Sequence, residues 1–133
     1  MSEAVGIVVA HDNLAAGLVE AAEHISGITG ALRSISNRGL SPEALREELV
    51  AAVDGKPAVV FVDLGTGSCG FCGRALCHER RDMVLLTGAN LPMLLDFLFH
   101  RDMELPLLAE RLARKGRSGV EYHLADADTA ASD

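Results

Sequence analysis

The chain has 133 residues, 49% hydrophobic and 23% charged, which is the composition of one globular domain and excludes a wholly disordered chain. Lys and Arg number 12 against 19 Asp and Glu, so the formal charge of −7 leaves no basic footprint for DNA or RNA. There is no apolar run of the roughly 20 residues a membrane span needs and no basic secretory segment in MSEAVGIVVAHDN, and three cysteines make no disulfide framework, so a cytoplasmic setting without membrane insertion is expected.

In chain order, Val5-Gly-Ile-Val-Val-Ala10 is a β-branched run that reads as a buried strand. Leu14, Leu18, Ala21, Ala22 and Ile25 recur at helical spacing, and Gly27 ends that helix. Ala31 to Ser36 alternates as a weaker strand. Ser41 is an N-cap with Pro42 in the first turn, and Leu45, Leu49 and Val53 form a stripe closed by Gly55. Ala58 to Val62 is the clearest strand. The turn Gly65-Thr-Gly-Ser-Cys-Gly70 leads into a short helix through Ala75, Leu76 and His78. Met83 to Leu86 is a fourth strand, and Asn90 caps a helix with Pro92 near its start. A further helix fits Leu107 to Arg114, ended by Gly116, and Val120 to Leu124 reads as a last edge strand.

Strands and helices alternate without a hairpin signal, which predicts right-handed crossovers and a parallel sheet. The expectation is one doubly wound α/β domain over residues 1–124. It has a mainly parallel sheet of order 2-1-3-4, helices on both faces and a late antiparallel edge strand; residues 125–133 form a flexible acidic tail.

Doubly wound sheets bind ligands beyond the carboxyl ends of their strands, where strand order reverses. That point brings His11, after the first strand, toward Asp63, after the third. A carboxylate on one ring nitrogen fixes the tautomer and leaves the other nitrogen as a nucleophile. Thr66, Gly67 and Ser68 offer N–H groups and hydroxyls at a helix mouth, and Asp12 and Asn13 open another helix behind His11. Helix N-termini bind anions, phosphate above all. A nucleophilic imidazole with an anion cradle points to phosphoryl transfer onto histidine. The plainer readings are a capping histidine, a turn acid and a simple N-cap serine.

Other chemistry reads less well. Aromatic residues are 4% of the chain, too few for the stacking platforms of flavin or single-stranded nucleic-acid sites. Gly65 to Gly70 also fits G-x-G-x-x-G, but Asp63 would repel a pyrophosphate and no acid follows the next strand to hold a ribose. Cys69, Cys72, Cys77 and His78 have the look of a zinc or redox motif. On a helix, Cys77 lies about 140° around from Cys72, so that stretch alone does not close round a metal. A redox pair of Cys69 and Cys72 competes with the reading of small buried thiols. His24, His78, His100 and His123 read as surface residues.

Several segments together resemble the enzyme IIA domains of mannose-type sugar phosphotransferase systems. GIVVAHDNLAAGLVEAAEHISG is similar to the family's opening strand, histidine and helix, and VVFVDLGTGSCG to its third-strand segment. TGANLPMLLDFL is similar to its Thr-Gly-x-Asn-Leu-Pro-Met-Leu segment, and KGRSGV to a late Gly-rich turn; the likeness runs in order over about residues 4 to 124. The resemblance implies that His11 accepts a phosphoryl group, that Asp63 orients it, and that Ser68 sits at the phosphate. It implies HPr as donor, a IIB protein as acceptor on a separate polypeptide, a homodimer with an exchanged last strand, and no metal, nucleotide or other cofactor. A non-transporting regulatory module of the same family is the alternative. Asp12 stands where the family usually has glycine, and Thr66-Gly67-Ser68-Cys69 where it has Gly-Gly-Ser-Pro.

Overall fold

The structure, a computed structural model, describes residues 3–125. Its elements are β1 (Val5–Ala10), α1 (Leu14–Ser26), β2 (Leu32–Ser36), α2 (Pro42–Val53), β3 (Ala58–Val62), α3 (Gly67–Glu79), β4 (Met83–Thr87), α4 (Leu91–Leu98) and α5 (Leu105–Ser118). The strands form one parallel sheet in the order β2-β1-β3-β4. Among the described residues, no helix is long and apolar enough to cross a membrane.

Every residue of β1 and β3 is buried, which is why these runs carry no polar alternation. Their side chains feed two cores by turns. Val8, Ala10, Val59 and Phe61 face the layer containing α1, α4 and α5, where Phe61 meets Phe97 edge-on with ring centres 5.4 Å apart. Ile7, Val9, Val60 and Val62 face α2 and α3 through Leu45, Leu49, Val53 and Leu76. A side chain such as Leu45, with 2% of its surface exposed, gains about 1.5–3 kcal/mol by burial. The two cores clamp β1 and β3 at the centre of the sheet, so the segments leaving their carboxyl ends start from fixed points.

The expected doubly wound fold and strand order are present, with four local differences. Leu14 and Ile25 are exposed, and α1 buries Ala15 and Ala22 instead, so its inward stripe is small-residue rather than leucine-rich. The third helix begins inside the glycine-rich turn, at Gly67, rather than after it. Gly116 does not end α5: it is buried inside the helix, facing Met93 and Asn90. The helix ends at Gly119 instead.

The fourth difference concerns Val120 to Leu124, which forms no strand in the described chain. Val120, Tyr122 and Leu124 are 75%, 83% and 65% exposed, so among the described residues the segment packs on no sheet edge. Its alternating pattern needs a neighbouring edge to become a strand, and among the described residues it pairs with neither outer edge of the sheet. Of the expected tail, residues 126–133 lie outside the described residues.

Candidate functional site

β1 and β3 lie side by side with Val9 opposite Val62. The residues just beyond, His11 and Asp63, therefore emerge next to each other at the switch point. His11 Nδ1 and Asp63 Oδ2 are 2.8 Å apart. The same carboxylate oxygen accepts the His11 backbone N–H at 3.0 Å, and Oδ1 accepts the Leu64 N–H at 3.0 Å. Asp63 thus holds both the ring and the start of its own loop. Burial alone would raise the Asp63 carboxyl, but the His11 N–H, the His11 ring and the Leu64 N–H outweigh it and hold it below the ordinary carboxylate range.

A carboxylate accepts and cannot donate, so the neutral ring carries its proton on Nδ1 and keeps its lone pair on Nε2. The His11 side chain is 37% exposed, against 10% for Asp63. The Nε2 side of the ring faces the start of α3: a Cβ added to Gly67 would sit 3.7 Å from Nε2. Gly67 has a φ of +88°, the left-handed region that glycine adopts without steric cost. Thr66, Gly67 and Ser68 are all exposed there. Thr66 stands at the N-cap of α3 and Asn13 at that of α1, and neither makes a side-chain capping bond. Two helix starts beside the imidazole thus have N–H donors that no cap side chain satisfies, in the orientation that attracts an anion.

Asp12 bears on the same charge balance. It lies in the left-handed region with φ +54°, a conformation suited to glycine. Its side chain does not cap α1; it pairs with Arg38 at 3.2 Å, while its N–H donates to Asn37 Oδ1. Arg38 had no signal in the sequence, being 26 residues away on the loop after β2. Arg74 was missed for a similar reason. It sits one turn and more into α3 and donates back to the Gly65 carbonyl, pinning the loop from behind.

Gly70 makes the nucleotide reading unnecessary: a Cβ there would lie 2.5 Å from the Gly65 carbonyl oxygen, so that glycine serves helix-to-loop packing. The thiol redox reading is disfavoured as well. Burial pushes Cys69, Cys72 and Cys77 all above the ordinary thiol range, the opposite of an activated thiolate. His100 is less exposed than its sequence suggests, with Nδ1 2.8 Å from the Asp96 carbonyl; Asp96 itself is buried and held by Arg111 at 2.7 Å, tying α4 to α5. A cavity of about 310 Å³ lies at the opposite rim of the sheet, lined by Ala4, Pro57, Met103 and Leu105, away from this chemistry.

Comparison with known proteins follows the same lines. A family model described as EIIA-man, PTS system fructose IIA component, matches residues 6–113. The phosphotransferase system component EIIA from Streptococcus agalactiae is similar at a TM-score of 0.82 and 27% identity, over 89% of this chain and 95% of that one. The mannose/sorbose specific IIA subunit of the phosphotransferase system from Enterococcus faecalis gives 0.81 and 19%, over 92% and 96%. A sigma-54 interaction domain protein from Enterococcus faecalis gives 0.72 and 15%, over 89% and 93%. The last two are likenesses of fold alone. No curated protein matches the chain significantly.

Proposed function

The chain belongs to the EIIA-man family of phosphotransferase system IIA components, and on that premise we propose that it is a cytoplasmic phosphocarrier that takes a phosphoryl group from the phosphohistidine of HPr onto His11 and passes it to a separate IIB protein. The observation that carries this reading is the 2.8 Å contact between His11 Nδ1 and Asp63 at the switch point, with Nε2 turned to the uncapped start of α3.

The chemistry follows from those positions. The Nε2 lone pair attacks phosphorus in line, and the bond from phosphorus to the donor imidazole breaks with its electron pair staying on the donor. The Nδ1 proton remains between His11 and Asp63, and the carboxylate balances the positive charge that develops on the ring. Thr66, Gly67 and Ser68 supply donors for the equatorial oxygens. The second transfer reverses these roles with IIB as acceptor. No step needs a metal or a nucleotide.

Two surface features support protein partners. Leu14, Leu64 and Phe71, at the starts of α1, the β3 loop and α3, are 46%, 55% and 66% exposed, an apolar surround suited to a docked protein. Val120, Tyr122 and Leu124 alternate on the segment after α5, and among the described residues β4 has no partner on its outer edge. Exchange of that segment between two copies pairs an open edge with an unsatisfied strand and gives a homodimer. A regulatory module switched by His11 phosphorylation is the second reading. It is favoured by Asp12, on the exposed turn after β1, and by Cys69, buried in the first turn of α3, where the family carries other residues.

Incubation with phosphoenolpyruvate, enzyme I and HPr is the test. The expected product is an acid-labile, alkali-stable phosphate on His11, lost in His11→Ala. Labelling that persists in His11→Ala would refute the site. Onward passage of label to a IIB protein separates a carrier from a switch that retains it.

A further inference from the structure

We propose that His11, Asp63 and Cys69 together bind zinc or a similar borderline divalent cation, and that the bound ion switches off His11 as a nucleophile. The three residues come from three elements: the end of β1, the end of β3 and the first turn of α3. One ligand atom from each lies within 4.8 Å of the other two. The sequence motif of Cys69, Cys72, Cys77 and His78 disperses around α3, whereas the fold gathers a different set of donors around Cys69.

Nitrogen, oxygen and sulfur from three residues, with a fourth position toward solvent on the half-exposed His11 side, make an open tetrahedral zinc set. Metal–ligand bonds of about 2.0–2.3 Å need donor atoms roughly 3.3–3.8 Å apart. Small side-chain rotations reach that from the 2.8 Å contact between Nδ1 and Oδ2 and from a spread under 4.8 Å. A thiolate in the set selects against magnesium and calcium, which take oxygen ligands.

The proton balance explains the switch. Binding releases the Cys69 thiol proton to solvent. Nδ1 gives its lone pair to the metal, so the neutral ring holds its one proton on Nε2. The lone pair that would attack phosphorus is then gone. This consequence rests on the phosphoryl-transfer reading above; the binding itself does not.

The test uses the full chain with Cys72→Ser and Cys77→Ser, which leaves Cys69 as the sole thiol of three, alongside the wild type. Cobalt(II) or cadmium(II) is titrated in. The expected result is a thiolate-to-metal charge-transfer band saturating at one equivalent, abolished by Cys69→Ser, with affinity falling about tenfold or more in His11→Ala and Asp63→Ala. No band in either background, or a band indifferent to His11 and Asp63, would overturn the site. In the labelling assay, equimolar zinc is expected to slow the wild type about tenfold or more, and Cys69→Ser less than about twofold, each against its own metal-free rate. Equal slowing of both would overturn the switch. Failure of metal-free wild-type labelling would instead overturn the phosphocarrier reading and leave the spectroscopic result standing.

Discussion

The starts of α3 and α4 lie on the same rim of the same sheet, each just beyond a strand, and they are built in opposite ways. At α4, Asn90 uses both ends of its amide: Oδ1 accepts the Met93 N–H at 3.2 Å and Nδ2 donates to the Gly116 carbonyl at 2.9 Å. That joint closes α4 onto α5. At α3 the N-cap side chain makes no such bond, the cap and the first two helical residues are exposed, and the neighbouring imidazole keeps one nitrogen uncommitted. Local satisfaction gives stability at one helix start; at the other it is withheld, and donors remain for a ligand. The more distinctive motif, Thr-Gly-x-Asn-Leu-Pro-Met-Leu, therefore marks a structural joint, and the plainer loop carries the proposed chemistry.

Replacing Asp63 by Asn strikes the open start hardest. An amide donates to Nδ1 and moves the ring proton to Nε2, so His11 labelling is expected to fall about 100-fold or more, as happens when a histidine is held in the wrong tautomer. A rate within a few-fold of wild type would break the distinction between the two helix starts. The same variant has an acid signature. The folded Asp63 carboxyl is held below its unfolded value, so its contribution to stability is present above about pH 4 and is lost as pH falls through the folded pKa. Thermal unfolding of Asp63→Asn is expected to depend less steeply on pH in that acid range than the wild type does.

Asn90→Ala tests the closed start. It removes a cap and leaves the Gly116 carbonyl without that donor, and the expected loss is about 1–3 kcal/mol by denaturant unfolding. Labelling per folded molecule is expected to stay unchanged. A loss of rate matching that of Asp63→Asn would erase the contrast.

Much of this was legible in the sequence, for identifiable reasons. β1 and β3 are continuous apolar runs because both faces are covered, and strand order then put His11 beside Asp63. The start of α3 was less legible, since glycine in a turn and glycine inside a helix look alike until packing, as at Gly70 against Gly65, tells them apart. Gly116 failed as a stop signal because α5 runs through it to Ser118. The nearness of Cys69 to the His11 and Asp63 pair depends on the pitch of α3 and had no sequence signal. The segment 120–124 carries a strand pattern, but among the described residues it pairs with no strand of the sheet.

Asp12→Gly is the smallest expected effect and sharpens the view of the open start. Glycine suits the φ of +54° but costs backbone entropy, so stability is expected to stay within about 1 kcal/mol of wild type. Removing one exposed carboxylate next to His11 is expected to speed labelling about twofold, an effect that fades with added salt.

The proposed chemistry depends on which ring nitrogen of His11 is the nucleophile. Nitrogen-15 NMR of the labelled protein after phosphorylation reads this directly. Phosphorus is expected on Nε2, with the Nδ1 proton retained against Asp63; phosphorus on Nδ1, or on any residue other than His11, would overturn the assignment.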